Sequence, residues 1–158
     1  MNFKKLNFPR LLVSIFACQL AGILGSIATY PNIPTWYASL NKPWFTPPNW
    51  VFGPVWITLF TLMGISLYLV WDKGAGKNRT ALAVFGAQLA LNALWSFLFF
   101  GLRNPLLGLI EIIPLWIAIA ASVALFYRIS RPAGFVLLPY LAWVTLASML
   151  NYYVWLLN

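Results

Sequence analysis

Residues 81–101 read ALAVFGAQLALNALWSFLFFG, twenty-one positions without a Lys, Arg, Asp or Glu. As an α-helix such a segment is about 31 Å long, the thickness of a bilayer's hydrocarbon core. Four more runs share this character, at 11–29, 51–71, 105–127 and 134–156, and none of them carries a Lys or Arg. Strands of a membrane β-barrel would show segments of about ten residues with alternating polarity, and these runs do not alternate. The sequence therefore predicts an all-α integral membrane protein, a bundle of five transmembrane helices forming one membrane domain over 1–158. Composition agrees: the chain is 62% hydrophobic and 8% charged, against roughly 45–50% and about 25% in soluble domains. So few charges cannot coat a soluble globule, and so apolar a chain is not disordered.

The same counts prune the chemistry. There is no histidine, one cysteine (Cys18) and two acids, Asp72 and Glu111. This argues against His-based acid–base catalysis, structural metal sites, a carboxylate-pair hydrolase and an intrachain disulfide. No metal and no required cofactor are expected. The ten basic residues are scattered between apolar runs, which argues against nucleic acid and for topology signals. Lys4, Lys5, Arg10, Lys73, Lys77, Arg79, Arg128 and Arg131 fall on one side of the predicted bundle, and Lys42 and Arg103 on the other. This split predicts a cytoplasmic N-terminus. The pattern from Lys4 to Ser26-Ile27-Ala28 also resembles a cleaved leader. Its apolar stretch is longer than usual, so an uncleaved first helix is expected.

Residues 30–50 interrupt the pattern with Pro31, Pro34, Pro43, Pro47 and Pro48 among Trp36, Tyr37, Trp44, Phe45 and Trp50. Prolines break helices, so this segment is expected to be an irregular loop. It is either an aromatic belt at headgroup level or a lid over an intramembrane cavity. Within 81–101, Gln88, Asn92, Trp95 and Phe99 fall within about 60° of one another around a helix, and Ala83, Ala87, Ala90 and Leu94 lie opposite. Amides in a span must look inward, either as interhelical glue or as a cavity lining. The small face suits close helix approach. In the last run Tyr140, Trp143, Ala147 and Asn151 share a face, and Pro139 favours a kink. That face is either a flat-ligand wall or ordinary packing. Glu111 is the one acid inside a run, a candidate for proton coupling or a neutral structural carboxyl.

These segments together resemble the translocator protein family, also called tryptophan-rich sensory proteins or peripheral-type benzodiazepine receptors. The matching blocks are Trp36-Tyr37-x-x-Leu40-x-Lys42-Pro43, Pro47-Pro48-x-Trp50-Val51-x-Gly53-Pro54-Val55-Trp56, Gln88-Leu89-Ala90-Leu91-Asn92-x-x-Trp95, Phe99-Phe100-Gly101, Pro139-Tyr140-Leu141-Ala142-Trp143 and Leu150-Asn151-Tyr152. The resemblance implies a five-helix bundle, often a homodimer, with a pocket under the first loop for porphyrins, haem-like tetrapyrroles and drug-like amides. It implies that Tyr37, Pro47, Trp56, Gln88, Asn92, Trp95, Trp143 and Ala147 line this pocket, joined on helix periodicity by Phe99, Tyr140 and Asn151. Trp56 and Trp143 match a tryptophan pair linked in some members to light- and oxygen-dependent porphyrin breakdown, so they are the candidate catalytic residues of an enzyme reading. The alternative is a receptor, sensor or transporter, or a proton-coupled exporter using Glu111.

Two departures bear on partners. The sterol motif of animal members needs a basic residue after its Tyr, whereas Tyr152 and Tyr153 are followed by Val154-Trp155-Leu156-Leu157-Asn158, which argues against sterol recognition. The glycine pair that some relatives carry in the third helix is Ala83-x-x-x-Ala87 here, so a dimer through Ala83, Ala87 and Ala90 is expected with altered geometry. The host membrane would be the cell membrane in a prokaryote and the mitochondrial outer membrane in a eukaryote.

Overall fold

The computed structural model describes residues 6–74, 76 and 78–158. Lys4, Lys5 and Lys77, three of the basic residues in the topology argument, lie outside the described residues. Helix α1 spans Phe8–Thr29, α2 Asn49–Trp71, α3 Arg79–Ser96, α4 Pro105–Ile129, α5 Arg131–Val136 and α6 Leu138–Leu157. With their helical extensions they make five segments long and apolar enough to cross a membrane, α5 and α6 together forming the fifth.

Local chemistry sets the ends. Both α1 and α4 start with an Asn–x/Pro signal: the Asn7 side chain accepts from the Arg10 N–H at 3.2 Å and Asn104 from the Leu107 N–H at 3.1 Å. Each has a proline in the first turn, where its missing N–H costs nothing. Pro139 likewise sits in the first turn of α6, and the expected kink falls just before it, at Leu137 between α5 and α6.

One expectation needs correcting. The segment after α1 is not irregular from residue 30. The helical path continues through a 3₁₀ turn, Tyr30–Asn32, and a π-helical turn, Ile33–Tyr37. Pro31 and Pro34 occupy opening positions of these turns. Side chains take up nearby carbonyls, Asn32 Nδ2 donating to Ala28 O at 2.9 Å and Thr35 Oγ1 to Pro31 O at 3.0 Å. The prolines thus change the helix type rather than end it. The irregular stretch is 40–48 alone. A second π-helical turn, Phe97–Gly101, extends α3. The two π turns meet: Trp36 packs edge-on against Phe99 and Phe100 at 5.5 and 6.3 Å.

The core lies where α1, α2, α3, α4 and α6 converge, around Cys18, Phe60, Met63, Phe85, Leu115, Phe126 and Tyr140. Outside it the surface is apolar, with Phe16, Ile57 and Ile113 each about 60% exposed at 64, 63 and 58%, as a lipid-facing surface requires. Helices α1 and α2 touch most closely in the half nearer Arg10 and Asp72. A Cβ at Gly64 would overlap the Ile15 backbone, and one at Gly22 would overlap the Phe60 ring. At that end Arg10 lies 3.9 Å from Asp72 and 5.8 Å over the Trp71 ring.

Candidate ligand-binding cavity

A cavity of about 370 Å³ lies between α1 and its extension, α2, α3 and α6. This is within the 300–1,000 Å³ range of small-molecule sites. Its walls are ring systems. Trp56 stacks on Phe60 at 5.5 Å, Trp95 stacks on Phe99 at 5.0 Å, and Trp143 meets Phe52 edge-on at 5.8 Å. Tyr37 closes one end against Phe100 at 5.5 Å. Ala147, between Trp143 and Asn151 along α6, leaves the room that a larger side chain would fill.

Hydrogen bonds between helices engage several polar groups of the lining and hold its shape. Trp95 Nε1 donates to Asn151 Oδ1 at 3.1 Å, and Asn151 Nδ2 donates to Pro105 O at 2.7 Å, tying α3, α6 and α4 together. Asn92 Nδ2 donates to Tyr140 Oη at 3.0 Å, Tyr140 Oη donates to Gln88 Oε1 at 2.9 Å, and Gln88 Nε2 lies 3.8 Å from Met63 Sδ. Among the described residues, the indole N–H groups of Trp56 and Trp143 have no hydrogen-bond partner although both rings border the cavity. They are donors that a ligand acceptor can meet.

Of the residues expected to contact ligand, Tyr37, Trp56, Asn92, Trp95, Phe99, Trp143, Ala147 and Asn151 come together in this lining. Gln88, Tyr140 and Pro47 are not in it. Gln88 and Tyr140 are each 1% exposed and form a polar layer behind Asn92. Helix periodicity gives the correct face for both but not the depth, and the amide–phenol pair satisfies itself inside the core. Pro47 belongs to the 40–48 loop, which is fastened to the end of α6 instead. Asn41 N donates to Asn158 Oδ1 at 2.9 Å, Asn158 Nδ2 donates to Asn41 O at 3.0 Å, and Phe45 packs on Tyr153 at 5.5 Å. Lys42 Nζ donates to Tyr37 O and Leu40 O at 2.7 and 2.9 Å and lies 4.8 Å over the Tyr37 ring. In the loop region Trp44 and Trp50 face outward, 95 and 75% exposed, while Trp36 packs inward. The segment therefore has an outward side and, through Tyr30, Ile33 and Tyr37, a cavity side.

The lining also holds α1 and α2 residues that sequence reading passed over, among them Gln19, Gly22, Phe52, Gly53 and Phe60. A signal existed for Gln19, an amide within an apolar run, and for Phe52 and Gly53, one helical turn before Trp56. Glu111 is buried on α4, 7% exposed, with neither carboxyl oxygen hydrogen-bonded, and it is not in the cavity lining. Ala83, Ala87 and Ala90 are exposed on the outer face of α3. Among the described residues no three His, Cys, Asp or Glu side chains come together.

Comparison with known proteins places this architecture. The sequence model of the TspO/MBR family matches residues 14–156. The tryptophan-rich protein TspO of Archaeoglobus fulgidus is 48% identical over 153 residues, 97% of this chain and 99% of that relative. The translocator protein of Homo sapiens is 43% identical over 142 residues, covering 88 and 84%. The tryptophan-rich sensory protein of Cereibacter sphaeroides is 40% identical over 154 residues, covering 97 and 94%. With its five apolar spans and its aromatic cavity, the chain belongs to the TspO/MBR family of multi-pass membrane proteins.

Proposed function

We propose that this protein is a membrane receptor or transporter that binds porphyrin-like tetrapyrroles and other flat lipophiles, drug-like amides included, in the cavity between α1, α2, α3 and α6. The observation that carries the reading is the pairing of large ring walls with few open polar groups: Trp56, Trp95 and Trp143 border one space. Flat aromatic ligands gain area and edge or face contacts from such walls, and two unpartnered indole N–H groups fix their orientation. The names of relatives, sensory in one and translocator in others, agree with a binding or transport role. The protein would act as a homodimer through the exposed Ala83, Ala87 and Ala90 face, with the N-terminus in the cytoplasm.

The placement of Trp56 and Trp143 on the same cavity also supports a second reading, light- and oxygen-dependent breakdown of a bound porphyrin. One experiment separates the two. Protoporphyrin is held with the purified protein in light, and its absorbance is followed. A retained Soret band in the protein-bound fraction is expected for a receptor. A shift to bilin-like absorption that disappears in Trp56→Phe and Trp143→Phe establishes turnover. Absence of any bound porphyrin overturns both readings.

A further inference from the structure

We propose that a slit between α1 and α2 is the entrance by which a flat lipophile dissolved in the bilayer reaches the cavity, and that Gly53 keeps this entrance open. The proposal rests on the binding role given above. It starts from which cavity residues also face outward. Six lining residues are exposed, and all belong to two facing stripes: Ile23, Ser26 and Tyr30 on α1 and its extension, and Asn49, Gly53 and Ile57 on α2. Their spacings, three to four residues, make each stripe one edge of its helix. The lining residues on α3, α6 and the Phe97–Gly101 turn are buried or half-buried. The cavity therefore opens between α1 and α2.

The slit has a built floor. Gly64 against Ile15 and Gly22 against Phe60 hold the two helices together below it. Gln19 Nε2 crosses between them, donating to Ile57 O at 3.0 Å and Thr61 Oγ1 at 3.1 Å. Above this clamp there is open space beside α2: a Cβ at Gly53 would meet nothing within 4 Å. Glycine lowers helix stability by about 1 kcal/mol relative to alanine, so helix formation does not favour it here, and packing does not require it. What it supplies is open space on the rim.

The depth and the alternative route point the same way. Ile23 and Ile57, 55 and 63% exposed, form the rim inside the apolar runs 11–29 and 51–71. This part of the slit thus lies at hydrocarbon depth, where a flat apolar ligand accumulates rather than in water, while Tyr30 and Asn49 form its upper end, between the runs. At the loop end the chain is fastened to α6 by the Asn41–Asn158 amide pair and the Phe45–Tyr153 contact, with Lys42 on the Tyr37 carbonyl.

A reversible plug tests the entrance in one folded protein. Gly53→Cys in a Cys18→Ala background is placed in lipid nanodiscs and labelled with a benzyl methanethiosulfonate, which a reductant removes. Stopped-flow quenching of tryptophan fluorescence by protoporphyrin reads association and dissociation. The plug should slow both by about tenfold, leave Kd within about twofold, and be fully reversed by reductant. A label at Val13→Cys, exposed in the inner half of α1, should change neither rate. Asn158→Ala, which frees the loop, should leave association within about twofold. Unchanged association in the plugged protein overturns the entrance. So does a raised Kd at unchanged association, because Gly53 would then be a wall contact. So does a strong acceleration in Asn158→Ala, which would put the route through the loop. If the parent shows no quenching at all, the binding role falls, and the entrance with it.

Discussion

Trp143 offers the sharpest test of the cavity because it borders the space and a Phe in its place keeps most of its packing on the core. Its aromatic partner is Phe52, 5.8 Å away and edge-on, and among the described residues its indole N–H has no hydrogen-bond partner. Trp143→Phe keeps a ring for Phe52 to meet, so thermal stability should fall by less than about 1 kcal/mol. The ligand loses more. Removing one ring of the indole removes about 40 Å² of apolar contact, or about 1 kcal/mol at 25 cal/mol per Å². Losing the N–H donor adds about 0.5–1 kcal/mol when the ligand supplies an acceptor. The sum, about 1.5–2 kcal/mol, corresponds to roughly a tenfold to thirtyfold rise in Kd. Protoporphyrin titration against intrinsic tryptophan fluorescence measures it. Trp71→Phe is the control for the lost emitter, since Trp71 lies under Arg10 at the opposite end of α2. Ala147→Phe should weaken binding further, because it fills the cavity instead of trimming its wall. A Trp143→Phe protein with the parent's Kd, or an Ala147→Phe protein that stays folded and binds normally, would refute the placement of the ligand.

Three further expectations follow from other parts of the molecule. Tyr140→Phe removes the hydroxyl that joins Asn92 to Gln88 behind the cavity wall, so it should lower stability by about 1–3 kcal/mol in a thermal melt while changing porphyrin Kd less than about threefold; the reverse pattern would make Tyr140 a direct contact. Ala87→Leu puts bulk on the exposed α3 face and should reduce the dimer fraction in mild detergent without altering ligand affinity, and equal dimer content in mutant and parent would sink this interface. Trp44→Cys and Lys73→Cys, each in a Cys18→Ala background, should differ in labelling by an impermeant reagent on intact cells, with position 44 reactive from outside and position 73 protected; the opposite result would invert the topology.

The number, length and approximate limits of the spans were legible in the sequence, because a bilayer imposes one dimension on every helix that crosses it and charge interrupts each run. The inward faces of α3 and α6 were legible too. Asn92, Trp95 and Phe99, and Trp143, Ala147 and Asn151, recur at helical spacing, and helical spacing alone puts them on one side. Three things emerge only in the folded structure, the first from local bonding and the other two from tertiary packing. The helical path to Tyr37 arises because Pro31 and Pro34 fall in the opening turns of 3₁₀ and π segments and because Asn32 and Thr35 cap nearby carbonyls, which proline content alone does not reveal. The withdrawal of Gln88 and Tyr140 behind the wall depends on a bond between two different helices. The contribution of α1 and α2, with Gly22 and Gly64 in contact and Gly53 open, depends on which helix packs against which. Periodicity states the direction in which a side chain points along its own helix. The depth it reaches, and whether a neighbour or empty space meets it there, is set only when the helices are packed together.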